Sequence, residues 1–373
     1  MILALTEEQE LLRQSVRGFL ADTSPMSEVR RLMETGPGYD PAVWARLAGQ
    51  LGLTGLTIPE EYGGSGSGHA ELAVVLEEMG RTLFCGPYFA TVALAANAIL
   101  AAGTDQQKGD LLPGIARGEV MATLAVAEDS GRWDPAGIQL EARPGNGGYR
   151  LTGHKSFVLD GHIASLIVVA ARTDDGILLF TVAGGAAGLS RTELPALDMT
   201  RKLARLDFSD VPASRLGPRP SEDAERALAR TLDLAAIALA AEQVGGSQRC
   251  LDMSVEYAKT REQFGRPIGS FQAIKHKCAD MLLDVESARS AAYYAAWAAA
   301  ADSDEVPAVA SLAKAYCSEA YFRTAGQNIQ IHGGIGFTWE HDAHLYFKRA
   351  KSAELLFGDP AFHREQLVQR IGI

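Results

Sequence analysis

The sequence predicts a mainly α-helical protein with a central β domain, in the order helical domain, β-barrel-like domain, helical bundle. Three observations carry this expectation. Apolar residues recur at helical spacing from Thr6 to about Glu119, the texture changes to short β-like runs near Met121, and long alanine-rich helices return from about Ser221. The corresponding segments are residues 1–120, 121–217 and 218–373. The first helix is written in "LTEEQELLRQSVRGFL", where Thr6 precedes glutamates in the manner of a capping box and Leu11, Leu12, Val16 and Leu20 supply an apolar stripe. The glycine and serine cluster "PEEYGGSGSG", Pro59 to Gly68, reads as a loop. In the middle segment "GYRLTGHKSFVLDG" reads as a strand, and "SLIVVAA" and "ILLFTV" on either side of "TDDG" read as a hairpin. Beyond "KLARLDFSDVPASRLGPRP", the residues Ile274, Cys278, Met281, Leu282 and Val285 fall on one side of a helix and predict its buried face. The small residues of "SAAYYAAWAAAA" and "AVASLAKAYCSEAYFRTAGQNIQ" allow close helix packing.

Composition narrows the function classes. With 373 residues and 47% apolar content the chain can build full-sized cores. A net charge of −11 disfavours nucleic acid and anionic membranes as general partners, because both repel an acidic surface. Cys85, Cys250, Cys278 and Cys317 are widely spaced, which predicts buried free thiols rather than disulfides or a zinc site. No stretch is apolar for as long as a membrane span requires, and "MILAL" is too short for a signal-peptide core. A cytoplasmic location is expected.

Two stretches carry chemistry. In "YAKTREQFGRPIGSFQAIKHKCADM" the residues Arg261, Phe264, Gly265, Arg266 and Gln272 surround a break between helices. An arginine beside glycines at a helix start suits a phosphate, since the guanidinium offers paired donors and the helix-start amides add more. A solvated basic turn would read the same way. A nucleic-acid patch built on Lys259, Lys275, His276 and Lys277 is disfavoured in so acidic a chain. In "QNIQIHGGIGFTWEHDAHLYFKRAK" the glycines Gly333, Gly334 and Gly336 let backbone approach a ligand, with Gln330 beside them. The alternative there is a plain interhelical turn. His332, His341, His344 and His363 invite a metal reading, but no third ligand has the right spacing, and Glu340 and Asp342 look like a solvated helix start. His341 and His344 are therefore read as surface.

Taken together, the head of the chain, the loop "LGLTGLTIPEEYGGSG", the arginine block and the glycine block occur in one order along nearly its whole length. In this the sequence resembles the acyl-CoA dehydrogenase family. The resemblance implies a helical domain, a β-barrel-like middle domain and a four-helix bundle, assembled as tetramers built from dimers. It implies FAD, with the flavin ring between the middle and last domains of one subunit and the diphosphate held by a neighbour's bundle. Matched residue by residue, Arg261, Phe264 and Gln272 correspond to the family's arginine block, and Gln330, Gly333 and Gly334 to its glutamine and glycine loop. All six are present.

The resemblance also exposes losses. Where the family has a Thr-Glu-Pro segment near the flavin, this chain has Ala127, Glu128 and Asp129, and the tryptophan and threonine of the next flavin-contacting strand correspond to Phe157 and Leu159. Near the carboxyl end the family places a glutamate that removes the α-proton of the acyl thioester as hydride leaves for the flavin. Here that position is Phe357, in a bend that continues Gly358-Asp359-Pro360. The alternative base position, on the first helix of the bundle, corresponds to Ala235. Substitute carboxylates are Glu242, on roughly the same helical face as Ala235, and Asp359. Asp233 sits off that face.

The expectation is a chain that lacks the base and completes the FAD site of a catalytic partner chain in a heterotetramer, as in bacterial members linked to steroid breakdown. Acyl-CoA is then the substrate and an electron-transfer flavoprotein the acceptor. The competing expectations are a homotetrameric dehydrogenase using Glu242 or Asp359, and an acyl-CoA-binding pseudoenzyme.

Overall fold

The computed structural model describes residues 5–145, 147–218 and 221–373. By its internal contacts the chain divides into two compact units, one comprising residues up to Arg30, His69–Phe84 and Ala236–Ile373, the other Arg31–Gly68 and Cys85–Ala235.

The first helix, α1 (Glu7–Thr23), opens on a capping box in which the Thr6 hydroxyl accepts from the Gln9 N–H and the Gln9 carboxamide accepts from the Thr6 N–H. The residue that closes the box is thus an amide, not a glutamate. Val16 and Leu20 are buried as the stripe predicts, but Leu11 is exposed. Helices α2 (Met26–Met33), α3 (Pro41–Gly49) and α4 (His69–Arg81) follow, with the predicted 59–68 loop holding only a short 3-10 turn at Glu60–Tyr62. A π-helical stretch, Phe89–Ala96, runs into α5 (Asn97–Ala102), and α6 (Asp105–Ala116) ends the first helical run.

In the second unit lie the strands β1 (Ala122–Ala125), β2 (Glu141–Gly145), β3 (Gly148–Leu159), β4 (Leu166–Thr173), β5 (Gly176–Ala183), β6 (Leu189–Leu194) and β7 (Leu203–Leu216). The predicted hairpin is β4 against β5, antiparallel from Leu166↔Ala183 to Thr173↔Gly176. Strand order runs β1-β4-β2-β3-β7-β5, and because β5 also pairs with β4 the sheet closes on itself. Closure removes most free edges and buries alternate side chains inside, among them Leu151, Ile167, Phe180, Leu206 and Val211.

The remaining elements are α7 (Ser221–Thr260), within which the boundary between units falls, the two-residue strands β8 (Glu262–Gln263) and β9 (Arg266–Pro267), and the helices α8 (Gln272–Ala300), α9 (Val306–His332), α10 (Ala343–Leu355) and α11 (Pro360–Arg370). On α8 the buried stripe is Met281, Val285, Ala288 and Ala292; Leu282 lies outside it and is half exposed, and Ile274 and Cys278 are half-buried. The drift follows from 3.6 residues per turn, which carries the i+8 position off the face that i+7 and i+11 share. Two glycines bring α4 and α7 into backbone contact: a Cβ on Gly80 would lie 2.0 Å from the Glu242 carbonyl oxygen, and one on Gly245 1.8 Å from that of Glu77. Cys85, Cys250 and Cys317 are buried free thiols, and Cys278 is half-buried. Among the described residues no helix is long and apolar enough to cross a membrane.

Candidate functional site

The arginine block folds into a tight hairpin between α7 and α8. Its turn residues Phe264 and Gly265 both take positive φ, 54° and 74°, the backbone that a two-residue hairpin between twisted strands requires. The Arg261 N–H donates to the Tyr257 carbonyl and the Arg261 carbonyl accepts from Ile268, so the backbone on both sides of the arginine is fixed while its side chain is exposed. Phe264 is 92% exposed. Arg266 lies over the Phe271 ring at 4.1 Å, and Gln272 is exposed at the start of α8.

The glycine block ends α9. Gly333 takes φ 66°, and the chain turns through a 3-10 segment, Gly333–Phe337. A Cβ at Gly333 or Gly334 would meet nothing within 4 Å. At Gly334, then, the chain's own packing does not require glycine, whereas a ligand approaching the backbone would. Gln330, Gly333 and Gly334 are exposed. Among the described residues no group hydrogen-bonds the side chains of Arg261, Gln272 or Gln330. An exposed guanidinium, two exposed carboxamides and an unobstructed glycine backbone are each groups able to meet an oxygen-rich anion.

His341 and His344 are not the exposed pair that the sequence suggests. His332, His344 and His363 are buried, and His341 is half-buried. The reason is packing: His332 lies 4.3 Å, ring centre to ring centre, from both Tyr257 and His341, and His344 lies 4.7 Å from Trp339. Asp342 is engaged by Arg30.

The bend at the chain's end is held rigidly. Phe357 is 4% exposed and takes φ 62°, a left-handed conformation unusual for a residue with a bulky side chain. Its carbonyl lies 3.1 Å from Nε2 of His363, and the Lys314 ammonium donates to the carbonyls of Glu354 and Gly358 and to the Ser318 hydroxyl, each at 3.0 Å. Asp359 is the N-cap of α11, its carboxylate accepting from the Phe362 N–H at 2.8 Å. Burial drives the Lys314 amine down to about 7, against the pull of Glu354. Burial also drives His363 down to about 3, and the Lys314 charge adds to this. The clamp is not anticipated from sequence, though a lone lysine among Leu312, Ala313 and Ala315 is a sign of it.

The substitute carboxylates have structural partners. Glu242 is buried on α7 and forms an ion pair with the equally buried Arg349 of α10 at 2.9 Å. Ala235, also on α7, is fully buried and carries only a methyl group.

In the β unit Glu128 is buried, and one of its oxygens accepts from Lys155 and from the N–H groups of Gln139 and Leu140 at 2.8–2.9 Å. Burial opposes its charge, but Lys155 and these donors outweigh that and hold the carboxyl below its usual range. Lys155 is pushed down to about 8, because its burial outweighs the attraction of Glu128. The neighbouring Asp129 accepts from Ser156 and pairs with His154 and Arg205. Phe157, 38% exposed, sits at a register break between β3 and β7 with φ 59°, and Leu159 is buried.

Three family models match in sequence along the chain: the N-terminal domain of acyl-CoA dehydrogenase over residues 6–119, the middle domain over 123–211 and the C-terminal domain over 225–372. The chain belongs to the acyl-CoA dehydrogenase family. It is an oxidoreductase family, and the observed fold is that of its solved members. The acyl-CoA dehydrogenase IpdE2 of Mycolicibacterium smegmatis is 38% identical over 365 residues, covering 97% of each chain. Among solved structures, a variant of the Tcur3481-Tcur3483 steroid ACAD superposes with a TM-score of 0.88 at 33% identity, covering 98% of each chain. The ChsE4-ChsE5 complex from Mycobacterium tuberculosis gives a TM-score of 0.91 at 29% identity, covering 100% of this chain and 99% of that one.

Proposed function

We propose that this chain is the subunit of a flavin-dependent acyl-CoA dehydrogenase that lacks the catalytic base and completes the FAD site of a partner chain. The observation that carries the proposal is the buried hydrocarbon ring of Phe357 in the place that the family resemblance gives to the glutamate. A benzyl group accepts no proton, and loss of a positioned base costs on the order of 10²- to 10⁴-fold in rate. The surrounding turn is tied down by hydrogen bonds from Lys314 and His363, and Asp359 is already occupied as a helix cap. Glu242 is held by Arg349.

The arginine–glycine face fits a diphosphate. Arg261 would offer paired N–H donors to phosphate oxygens, Gln330 and Gln272 would offer amide donors, and the Gly333–Gly334 backbone would come close without a Cβ in the way. FAD, when bound, supplies the acceptor for the hydride that leaves the acyl β-carbon. On the β unit Phe157 and Leu159 provide no hydroxyl or indole donor for a flavin ring of the chain's own. Each missing hydrogen bond weakens binding by about 1 kcal/mol, or several-fold in affinity. The two-chain names of both solved relatives support a partner that bears the base, and the first supports a steroid-type acyl-CoA substrate; an electron-transfer flavoprotein fits as the acceptor.

Co-expression with a glutamate-bearing chain, followed by flavin counting, tests this. The expected result is little flavin on the isolated chain and about one flavin per two chains in the assembly. Full flavin occupancy of the isolated chain, with acyl-CoA oxidation abolished by Glu242→Gln, would overturn it.

A further inference from the structure

The two halves of the candidate diphosphate face come from sequence positions about seventy residues apart, yet one buried side chain touches the supports of both. His332 closes α9 immediately before Gly333, and its ring lies 4.3 Å from that of Tyr257 at an interplanar angle of 28°. Tyr257, on the last turn of α7, accepts the Arg261 N–H through its carbonyl at 2.8 Å. On the other side of the turn, the His332 ring lies 4.3 Å from that of His341, whose Nδ1 accepts the Ala343 N–H at the start of α10. A nitrogen that accepts carries no proton, so His341 is neutral in this arrangement.

His332 is fixed in orientation as well as in place. Its Nδ1 lies 2.8 Å from the Asn328 carbonyl, an acceptor that calls for a proton on that nitrogen. Asn328 in turn accepts from the Ser254 hydroxyl of α7 at 2.9 Å. Gly336 packs back onto the same residue, since a Cβ there would lie 2.9 Å from the His332 Cβ. The ring is thus wedged between the end of α7, the end of α9 and the start of α10, while Arg261, Gln330, Gly333 and Gly334 around it are exposed.

We infer that His332 is a positioning residue for the anion-binding face, setting the arginine turn and the glycine turn at their working separation through its neutral ring. The inference rests on the reading that this face holds a diphosphate. His332 touches no ligand-facing atom, so its influence runs through Tyr257 and through the backbone of Gly333. Burial lowers the His332 imidazole below its ordinary 6.5, and His341 is lowered for the same reason. The folded arrangement therefore favours two neutral rings, and the preference is lost as pH falls from about 6.5 toward the lowered folded values. Protonating both rings would place two like charges 4.3 Å apart, and Arg30, Asp342 and His344 are the other charged or titratable groups around His341, with Lys348 beside His344.

The test compares His332→Ala, which removes the ring, with His332→Phe, which keeps a ring but cannot take a proton. On this chain by itself, amide hydrogen exchange is measured for the peptides spanning 257–266 and 330–337. In His332→Ala both should exchange about tenfold faster at neutral pH, while in His332→Phe they stay within about threefold of the unsubstituted chain. On the flavin-loaded assembly, lowering the pH from about 7.5 to 5 should speed flavin release about tenfold in the unsubstituted chain and leave His332→Phe flat. The inference fails if His332→Ala changes exchange at 330–337 only, or if His332→Phe keeps the full acid acceleration. An assembly that never contains flavin would instead sink the diphosphate reading, and the exchange result would still decide whether His332 couples the two turns.

Discussion

At Arg261, Gln272 and Gln330 polar side chains are exposed and take no hydrogen-bond partner among the described residues, whereas around Phe357 polar groups are consumed internally. Lys314 spends its donors on Ser318, Glu354 and Gly358, His363 meets the Phe357 carbonyl, and Asp359 caps α11. A surface that serves a ligand must leave donors unspent, at a cost in folding stability. A turn relieved of that duty can bury a ring and satisfy its own backbone. The same contrast applies to Glu242, the buried substitute base that the sequence offers, and to Glu128 of the β unit. Glu242 and Glu128 are both buried, and both are spent on a cation.

Substitutions can break this comparison at either end. The largest stability effect is expected at the Glu242–Arg349 pair. Arg349→Met leaves a buried carboxylate without its cation and should cost about 3–5 kcal/mol in denaturant unfolding, most of it restored in Arg349→Met combined with Glu242→Leu. If Glu242 were instead a poised base, Glu242→Gln would abolish turnover of the assembly without a comparable loss of stability. Next comes pH. His363 is held near 3 in the fold against an ordinary 6.5, so its neutral form contributes stability at pH above about 6.5, and that contribution drains away as pH falls toward 3. His363→Gln should flatten the slope of melting temperature against pH between about 6.5 and 4.

Arg261→Ala probes the open face. Removal of a charge-assisted contact worth about 1.5–3 kcal/mol should reduce flavin retention by the assembly about ten- to a hundredfold, and leave the melting temperature of the isolated chain unchanged because the side chain has no folding partner to lose. A drop in melting temperature would show that the guanidinium serves the fold. The smallest effect is expected at Asp359→Ala, which removes a cap worth about 1 kcal/mol and leaves flavin content untouched. Loss of acyl-CoA oxidation in that variant would assign Asp359 to the chemistry and end the contrast drawn here.

The sequence alone determined the kinds of element and their order. The β4–β5 hairpin follows from alternating apolar runs around "TDDG", the cap of α1 from Thr6, and the loop at 59–68 from its glycines, because each depends on residues only a few positions apart. The candidate site residues stand out in the same way, since arginine and glycine blocks are local patterns. The tertiary structure alone decided which charged and titratable groups are spent. Nothing within a few residues of Glu242, Lys314 or His332 reveals Arg349, Gly358 or Tyr257 as partners, because these meetings join helices far apart along the chain. Burial, which lowers the Lys314 amine and the His332 imidazole, exists only once those helices have packed.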